Sequence, residues 1–300
     1  MIKITARSAH MCAEVHDKSE ILNHGELLTM KKLVFVLLDG TTREISKENM
    51  GFLWHLVESG NAGYADIHSE LPSWSRPCYE GIFTGSPACC HGITCNETVR
   101  RSKMENIFSL AHKAGLRTGA AAYNWFSELY VRAPFDPFRD RFLDDENSDI
   151  QHGIFYFDDN YPDYHLFLDG DYLRRRYDLD FLLIHPMGQD NTGHHFGSAS
   201  KEYEHRAVVM DGILAKAIPR WVDDGYGVIV TADHGMSEFG THGGNRDILR
   251  NVFAYFINLG FPASEHEFSQ LSLAPTVCNI LGIDPAQTMK YPAIPLSATR

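Results

Sequence analysis

Hydrophobic and polar positions divide this chain into short, solid apolar runs separated by stretches with helical spacing. The clearest run is Val34-Phe-Val-Leu-Leu, rich in β-branched residues and ended abruptly by Asp39-Gly40. A run so short and uniformly apolar predicts a buried strand that delivers Asp39 to the carboxyl edge of a parallel sheet. The same pattern returns at Gly227-Val-Ile-Val-Thr-Ala before Asp233-His234-Gly235. A looser version is Phe181-Leu-Leu-Ile, followed by His185 and then Asp190. Gly63–His68, Thr118–Tyr123 and Val252–Ile257 read as further strands. Helical spacing covers Ile45–Gly60, Asn106–Ala114, Tyr164–Tyr177, Ser200–Asp223 and Phe268–Leu281, with Gly60, Gly115 and Gly282 as stops. Pro77 fits the first turn of a helix that runs to Phe83, which puts Ser75 at its N-terminus. Strands alternating with helices predict an α/β fold, a doubly wound sheet covered on both faces.

Two stretches stand apart. Residues 1–29 are polar and His-rich without a period, and read as a loose arm or a mis-called start ahead of a natural Met30. Residues 30–300 then form one catalytic domain. Within it, Trp125–Pro162 is rich in aromatics, Asp and Pro, and is the candidate for an insertion beside the active site.

Composition narrows the partners. Three hundred residues with 44% hydrophobic content suit one large α/β domain. A net charge of -12 argues against a nucleic-acid polymer or an anionic membrane as the main partner. A small anionic substrate is still compatible, because a bound metal overrides the global sign locally. The six Cys show no disulfide framework, and Cys89-Cys90 with Cys95 read as small residues near a turn. Reduced thiols, no apolar run near the ~20 residues of a membrane span and no secretory signal lead to the expectation of a cytoplasmic protein.

The chemistry gathers at the predicted strand ends. Asp39, Asp190 and Asp233 supply carboxylates, and His194, His234 and His242 supply imidazoles. Asp190 and His194 are four apart. Six such donors exceed the needs of one ion and suit two Zn²⁺, with Mn²⁺ the weaker candidate. Two metals ~3.5–4 Å apart clamp the attacking and leaving sides of a phosphoryl centre. Taken singly, each Asp is an ordinary cap or turn residue, and His91, His185 and His195 read as structural. Ser75 is the candidate nucleophile, activated by a metal on its oxygen and helped by the helix N-terminus. The backbone N–H of Arg76 is expected to point at the bound anion. Without the metal residues, Ser75 would read as a plain N-cap.

Together these motifs resemble the alkaline phosphatase superfamily, and within it the type I phosphodiesterase/nucleotide pyrophosphatase branch. Ser75-Arg-Pro-Cys-Tyr-Glu-Gly-Ile-Phe-Thr-Gly85 with His91-Gly92 is similar to the nucleophile segment of that branch. Asp190-x-x-Gly-His194-x-x-Gly197 and Asp233-His-Gly-Met236 look like its metal motifs, and Ala274–Gly282 like its closing helix. The resemblance runs from about Leu33 to Gly282. It implies an alkaline phosphatase-like three-layer αβα sandwich. It also implies one zinc on Asp190, His194 and His242, and another on Asp39, Asp233, His234 and the Ser75 oxygen. Asn96 falls where the branch places an Asn that hydrogen-bonds a non-bridging phosphoryl oxygen. The implied reaction is hydrolysis of small phosphate diesters through a covalent phospho-Ser75.

The chain departs from the branch in places. Ser75 stands where Thr is common, and Arg76 and Cys78 replace the usual Phe and Asn, which disturbs the nucleotide-base pocket. No long insertion separates His234 from His242. Rival readings follow from the same residues. A sulfatase would need Arg at position 79, which is Tyr. A phosphomonoesterase would need added cations, for which Arg76, Arg100 or Arg101 are available. A metal-independent transferase or mutase of the superfamily ranks below these. The non-enzyme alternative is a zinc-stabilised binding domain, disfavoured because structural zinc sites are usually Cys-rich.

Overall fold

The computed structural model describes residues 32–262 and 267–297. The proposed arm at 1–29 and the question of Met30 lie outside these residues. Leu33–Leu38 (β1) is buried on both faces, each residue at most 1% exposed, as its unbroken apolar run requires. The strands that follow are Ala62–His68 (β2), Thr118–Tyr123 (β3), Phe142–Asp144 (β4), His152–Tyr156 (β5), Phe181–Ile184 (β6), Gly227–Ala232 (β7) and Asn251–Ile257 (β8). Phe261–Pro262 (β9), Phe268–Ser269 (β10) and Leu296–Ser297 (β11) are short.

Nine strands form one sheet in the order β10-β2-β8-β7-β1-β6-β3-β5-β4. Neighbours from β7 through β5 run parallel, and β8 is antiparallel to both β7 and β2. A separate two-stranded sheet pairs β9 with β11. Eight of the helices fall into two groups. Arg43–Asn49, Gly51–Glu58, Asp163–Tyr177, Gly188–Phe196 and Lys201–Asp223 pack together, and Ser75–Thr84, Ile107–Lys113 and Leu273–Leu281 form the other. The mixed α/β architecture with a large, mostly parallel sheet agrees with the fold class expected from the alternation.

Three elements differ from the sequence reading. The helix expected over Ile45–Gly60 is two helices, because Met50 leaves helical geometry (φ -99, ψ 71) just before Gly51. The helix expected from Phe268 begins at Leu273, because Phe268 and Ser269 extend the sheet edge beside β2 and a short 3₁₀ turn follows. Residues 125–162, to which the sequence reading assigned no element, contribute strands to the sheet. They supply β4 and β5, and β5 pairs with β3 in parallel. Its scattered aromatics hid that strand: Tyr156 and Phe155 are buried, while Phe138 and Phe142 face water.

Among the described residues, no helix is long and apolar enough to cross a membrane.

Candidate active site

The adjacent strands β7, β1 and β6 end side by side. Leu38 and Ala232 are the last paired residues of β1 and β7, so Asp39 and Asp233 follow at one level of the carboxyl edge. The Asp39 N–H donates to Pro186 O (3.2 Å), which ties in the chain leaving β6. Gly40 completes the junction. Its N–H donates to Asp233 Oδ1 (3.1 Å), its φ is +62°, and a Cβ there would lie 2.6 Å from Asp190 Oδ1. Only glycine allows this turn and this approach.

Asp190 and His194 sit one turn apart on Gly188–Phe196 and share a face. His194 Nε2 is 3.3 Å from Asp190 Oδ2 and 3.2 Å from His242 Nε2, and His242 Nε2 is 3.8 Å from Asp190 Oδ1. His234 Nε2 lies 3.2 Å from Asp233 Oδ2, 3.5 Å from Asp39 Oδ1 and 3.0 Å from Ser75 Oγ. The rings of His234 and His242 stack with centroids 3.8 Å apart, so His234 reaches both groups.

All three imidazoles are aimed the same way. The Nδ1 of His194 meets Gly240 O (2.9 Å), that of His242 meets Ser73 O (3.1 Å) and that of His234 meets Gly235 O (2.8 Å). A carbonyl only accepts, so each Nδ1 carries a proton and each Nε2 points inward, that of His194 donating to Asp190 when the ring is protonated. The Nε2 atoms of His194 and His242 face each other at 3.2 Å, a spacing that needs a proton or a cation between them. Gly240 is held tightly for this purpose: its φ is +73°, and a Cβ would lie 2.7 Å from His194 O.

The carboxylates are equally in need of a cation. Asp39, Asp190 and Asp233 are each at most 3% exposed. One oxygen of each has no hydrogen-bond partner: Asp39 Oδ1, Asp190 Oδ1 and Asp233 Oδ2. Burial, then the charge of Asp39, pushes the Asp190 carboxyl up. Burial, then the charges of Asp39 and Asp190, pushes Asp233 well above the usual range. Burial also works against Asp39, but the hydrogen bond to His185 and the charges of His234 and His185 outweigh it and hold Asp39 down to about 2. The hydrogen bond to Asp190 raises His194 to about 9, and burial lowers His242 to about 3. Unpartnered carboxylate oxygens facing inward-aimed imidazole nitrogens fit a divalent-metal centre.

Ser75 opens the Ser75–Thr84 helix, 3% exposed. The plain N-cap reading does not hold, because Trp74 is the N-cap and Ser75 Oγ meets His234. Arg76 departs from expectation in two ways. Its N–H donates to Asn96 Oδ1 (3.0 Å), leaving the Asn96 Nδ2 end to donate elsewhere. Its guanidinium, 1% exposed, pairs with Glu128 (2.8 Å) under the Trp125 ring, with Nε and Nη1 left without a hydrogen-bond partner. The aromatic face and the carboxylate together draw it into the core.

Two site residues escaped the sequence reading. His185, read there as merely structural, is fully buried with Nε2 3.1 Å from Asp39 Oδ2. Tyr79 donates its O–H to the same oxygen. A signal existed for both. His185 occupies the first position beyond β6, as Asp39 does beyond β1 and Asp233 beyond β7. Tyr79 lies four residues after Ser75, on the same helix face.

The type I phosphodiesterase / nucleotide pyrophosphatase family matches residues 33–253. GPI ethanolamine phosphate transferase 2 of Debaryomyces hansenii is 24% identical over 234 residues, covering 76% of this chain and 26% of the relative. The chain spans about a quarter of the length of such curated relatives. In fold it is similar to murine ectonucleotide pyrophosphatase / phosphodiesterase 5, with TM-score 0.65 and 12% identity over 85% of this chain and 96% of that one. A phosphonate monoester hydrolase from Silicibacter pomeroyi gives TM-score 0.60 and 13% identity, over 88% and 76%. The relatives named GPI ethanolamine phosphate transferases correct the cytoplasmic expectation, since they point against that location. The thiols could not decide it: no disulfide joins the described cysteines, and a chain with so large a core needs none in any compartment.

Proposed function

This chain belongs to the type I phosphodiesterase / nucleotide pyrophosphatase family, and on that premise we propose a metal-assisted enzyme that cleaves phosphate diesters through an ester on Ser75. The observation that carries the reading is the convergence of Ser75 Oγ, the imidazoles of His234 and His242 and three unpartnered carboxylate oxygens on one buried centre, with the half-exposed His194 at its rim.

Asp190, His194 and His242 would hold one divalent ion, and Asp39, Asp233, His234 and the Ser75 oxygen a second. Donors of this kind suit Zn²⁺ first and Mn²⁺ second. When bound, such ions supply the positive charge that favours the Ser75 alkoxide and neutralises phosphoryl oxygens. The remaining work falls to the chain itself. Ser75 Oγ attacks phosphorus, the bond to the leaving alkoxy oxygen breaks, that oxygen takes up the proton Ser75 gives up, and the phosphoryl group stays on Ser75. Asn96, held by the Arg76 N–H, turns its amide N–H₂ to a non-bridging oxygen. In the second half the O–H of an acceptor attacks phosphorus, the bond to Ser75 Oγ breaks, and the acceptor proton returns to Ser75.

Diesters are favoured over monoesters because Arg76, the nearest candidate for the extra cation a dianion wants, is already neutralised by Glu128. Tyr79, bonded to Asp39, stands where a sulfatase would need Arg. Water as acceptor makes the enzyme a hydrolase. A second reading, transfer to an alcohol, is favoured by the relatives named as transferases.

The test is turnover of bis-p-nitrophenyl phosphate against p-nitrophenyl phosphate by zinc-loaded protein, with Ser75→Ala as the blank. A ratio well above one that vanishes in the blank is expected. A ratio well below one, or an active blank, contradicts the reading. Repeating the assay with glycerol present and following products by ³¹P NMR separates the acceptors: free phosphate ester marks hydrolysis, and a glycerol ester marks transfer.

A further inference from the structure

Asp39 is the one carboxylate of the site with an oxygen claimed twice. Tyr79 O–H and His185 Nε2 both bond Oδ2, and Oδ1 has no partner. Asp39, Tyr79 and His185 are all fully buried, so water does not compete for either oxygen. Neither donor is free to swing away. The Tyr79 ring stacks on Phe126 (4.6 Å between centroids) and meets the His185 ring edge-on at 4.8 Å. The His185 ring also packs against Phe126 at 4.9 Å. The backbone of His185 is fixed on both sides, its N–H donating to Ala121 O (3.0 Å) and its carbonyl accepting from Tyr156 O–H (2.7 Å).

We propose that Tyr79 and His185 are positioning residues for the metal centre: by occupying Asp39 Oδ2 they restrict Asp39 to one-oxygen ligation through Oδ1. The inference rests on the metal reading given above. Asp233 is restricted in the same sense by the Gly40 N–H on its Oδ1, which leaves Oδ2. Carboxylates limited to one oxygen suit an ion of low coordination number such as Zn²⁺. They disfavour Ca²⁺, which takes six to eight oxygens and often binds carboxylates through both. The geometry thereby selects the ion through residues that never touch it.

A purely structural role predicts something different: loss of either donor would lower stability and leave metal affinity alone. The experiment compares metal-stripped wild type, Tyr79→Phe, His185→Leu and His185→Gln. Zn²⁺ affinity is measured against a competing chelator, Co²⁺ by its visible spectrum, and folding by thermal melting. Tyr79→Phe and His185→Leu should each weaken one ion by about 10–100-fold, and His185→Gln, whose amide also donates, should stay close to wild type. The Co²⁺ bands should lose intensity in the first two variants, as Asp39 becomes free to bind through both oxygens and coordination rises. Tyr79→Phe lacks a single oxygen and keeps the ring packing, so it guards against a variant that fails to fold. Wild-type Zn²⁺ affinity and an unchanged Co²⁺ spectrum in a folded Tyr79→Phe would overturn the inference alone. Failure of wild type itself to take up Zn²⁺ or Mn²⁺ would overturn the metal reading beneath it.

Discussion

Gly40 is the residue on which the meeting of the three strand ends most depends. An alanine there is expected to cost about 1–2 kcal/mol for its left-handed backbone alone, and to push Asp190 away from the centre as well. Urea denaturation of Gly40→Ala should show that loss, and metal titration should show one ion bound more weakly. Wild-type values in both would mean that the approach of Asp190 to Gly40 is not needed. At this scale the site was partly legible. Asp39 and Asp233 end apolar runs with no other use for a carboxylate. His185 was missed, because a lone imidazole looks the same in sequence whether it fills a core or holds a ligand, and its place just beyond β6 was the one signal against the plain reading. Arg76 misled for a related reason: sequence gives the charge next to Ser75, but Glu128, the residue that consumes it, lies 52 positions away.

The Ser75–Thr84 helix carries a second function on another face. Ser75 and Tyr79 serve the site, whereas Glu80 turns to Tyr130 O–H (3.0 Å) and Ser102 O–H in the core. Burial raises Glu80 from 4.5 to about 7, the bonds from Ser102 and Tyr130 only partly offsetting it. The sign of the consequence follows. Between these values the folded state keeps a proton that the unfolded state releases, so stability falls as pH rises from about 4.5 and levels off above about 7. The full loss is about 3 kcal/mol. Glu80→Gln removes the titration. Its stability relative to wild type should therefore improve from pH 5 to pH 8 by about 2–3 kcal/mol in urea melts, and a constant difference would contradict this. Elements with unbroken apolar runs, such as β1, β6 and β7, were legible at this scale. The strand β5 was not, because it is only five residues long and its aromatic, Asp-rich surroundings mask the apolar run. The break at Met50 was equally hidden, since the apolar positions keep helical spacing across it.

Across the whole molecule, a chain of net charge -12 gathers three of its carboxylates at one buried point. Folding tolerates this only if something positive joins them, because buried unpaired charge is costly. The sheet order makes the concentration unavoidable: β7, β1 and β6 are neighbours, and each carries its polar residues past the same edge. Fold and family were therefore legible from the order of the motifs. The acceptor was not, since a phosphoryl group on Ser75 passes to water or to an alcohol with the same residues. The most direct test of the central claim is to mix metal-loaded protein with bis-p-nitrophenyl phosphate, quench in acid within the first turnover and map the peptides by mass. The account predicts a nitrophenyl phosphoryl ester on Ser75 in the wild type, and in Ser75→Ala no such ester and turnover reduced by about 10⁴-fold or more. Steady turnover by Ser75→Ala, or an ester on another residue, would contradict it.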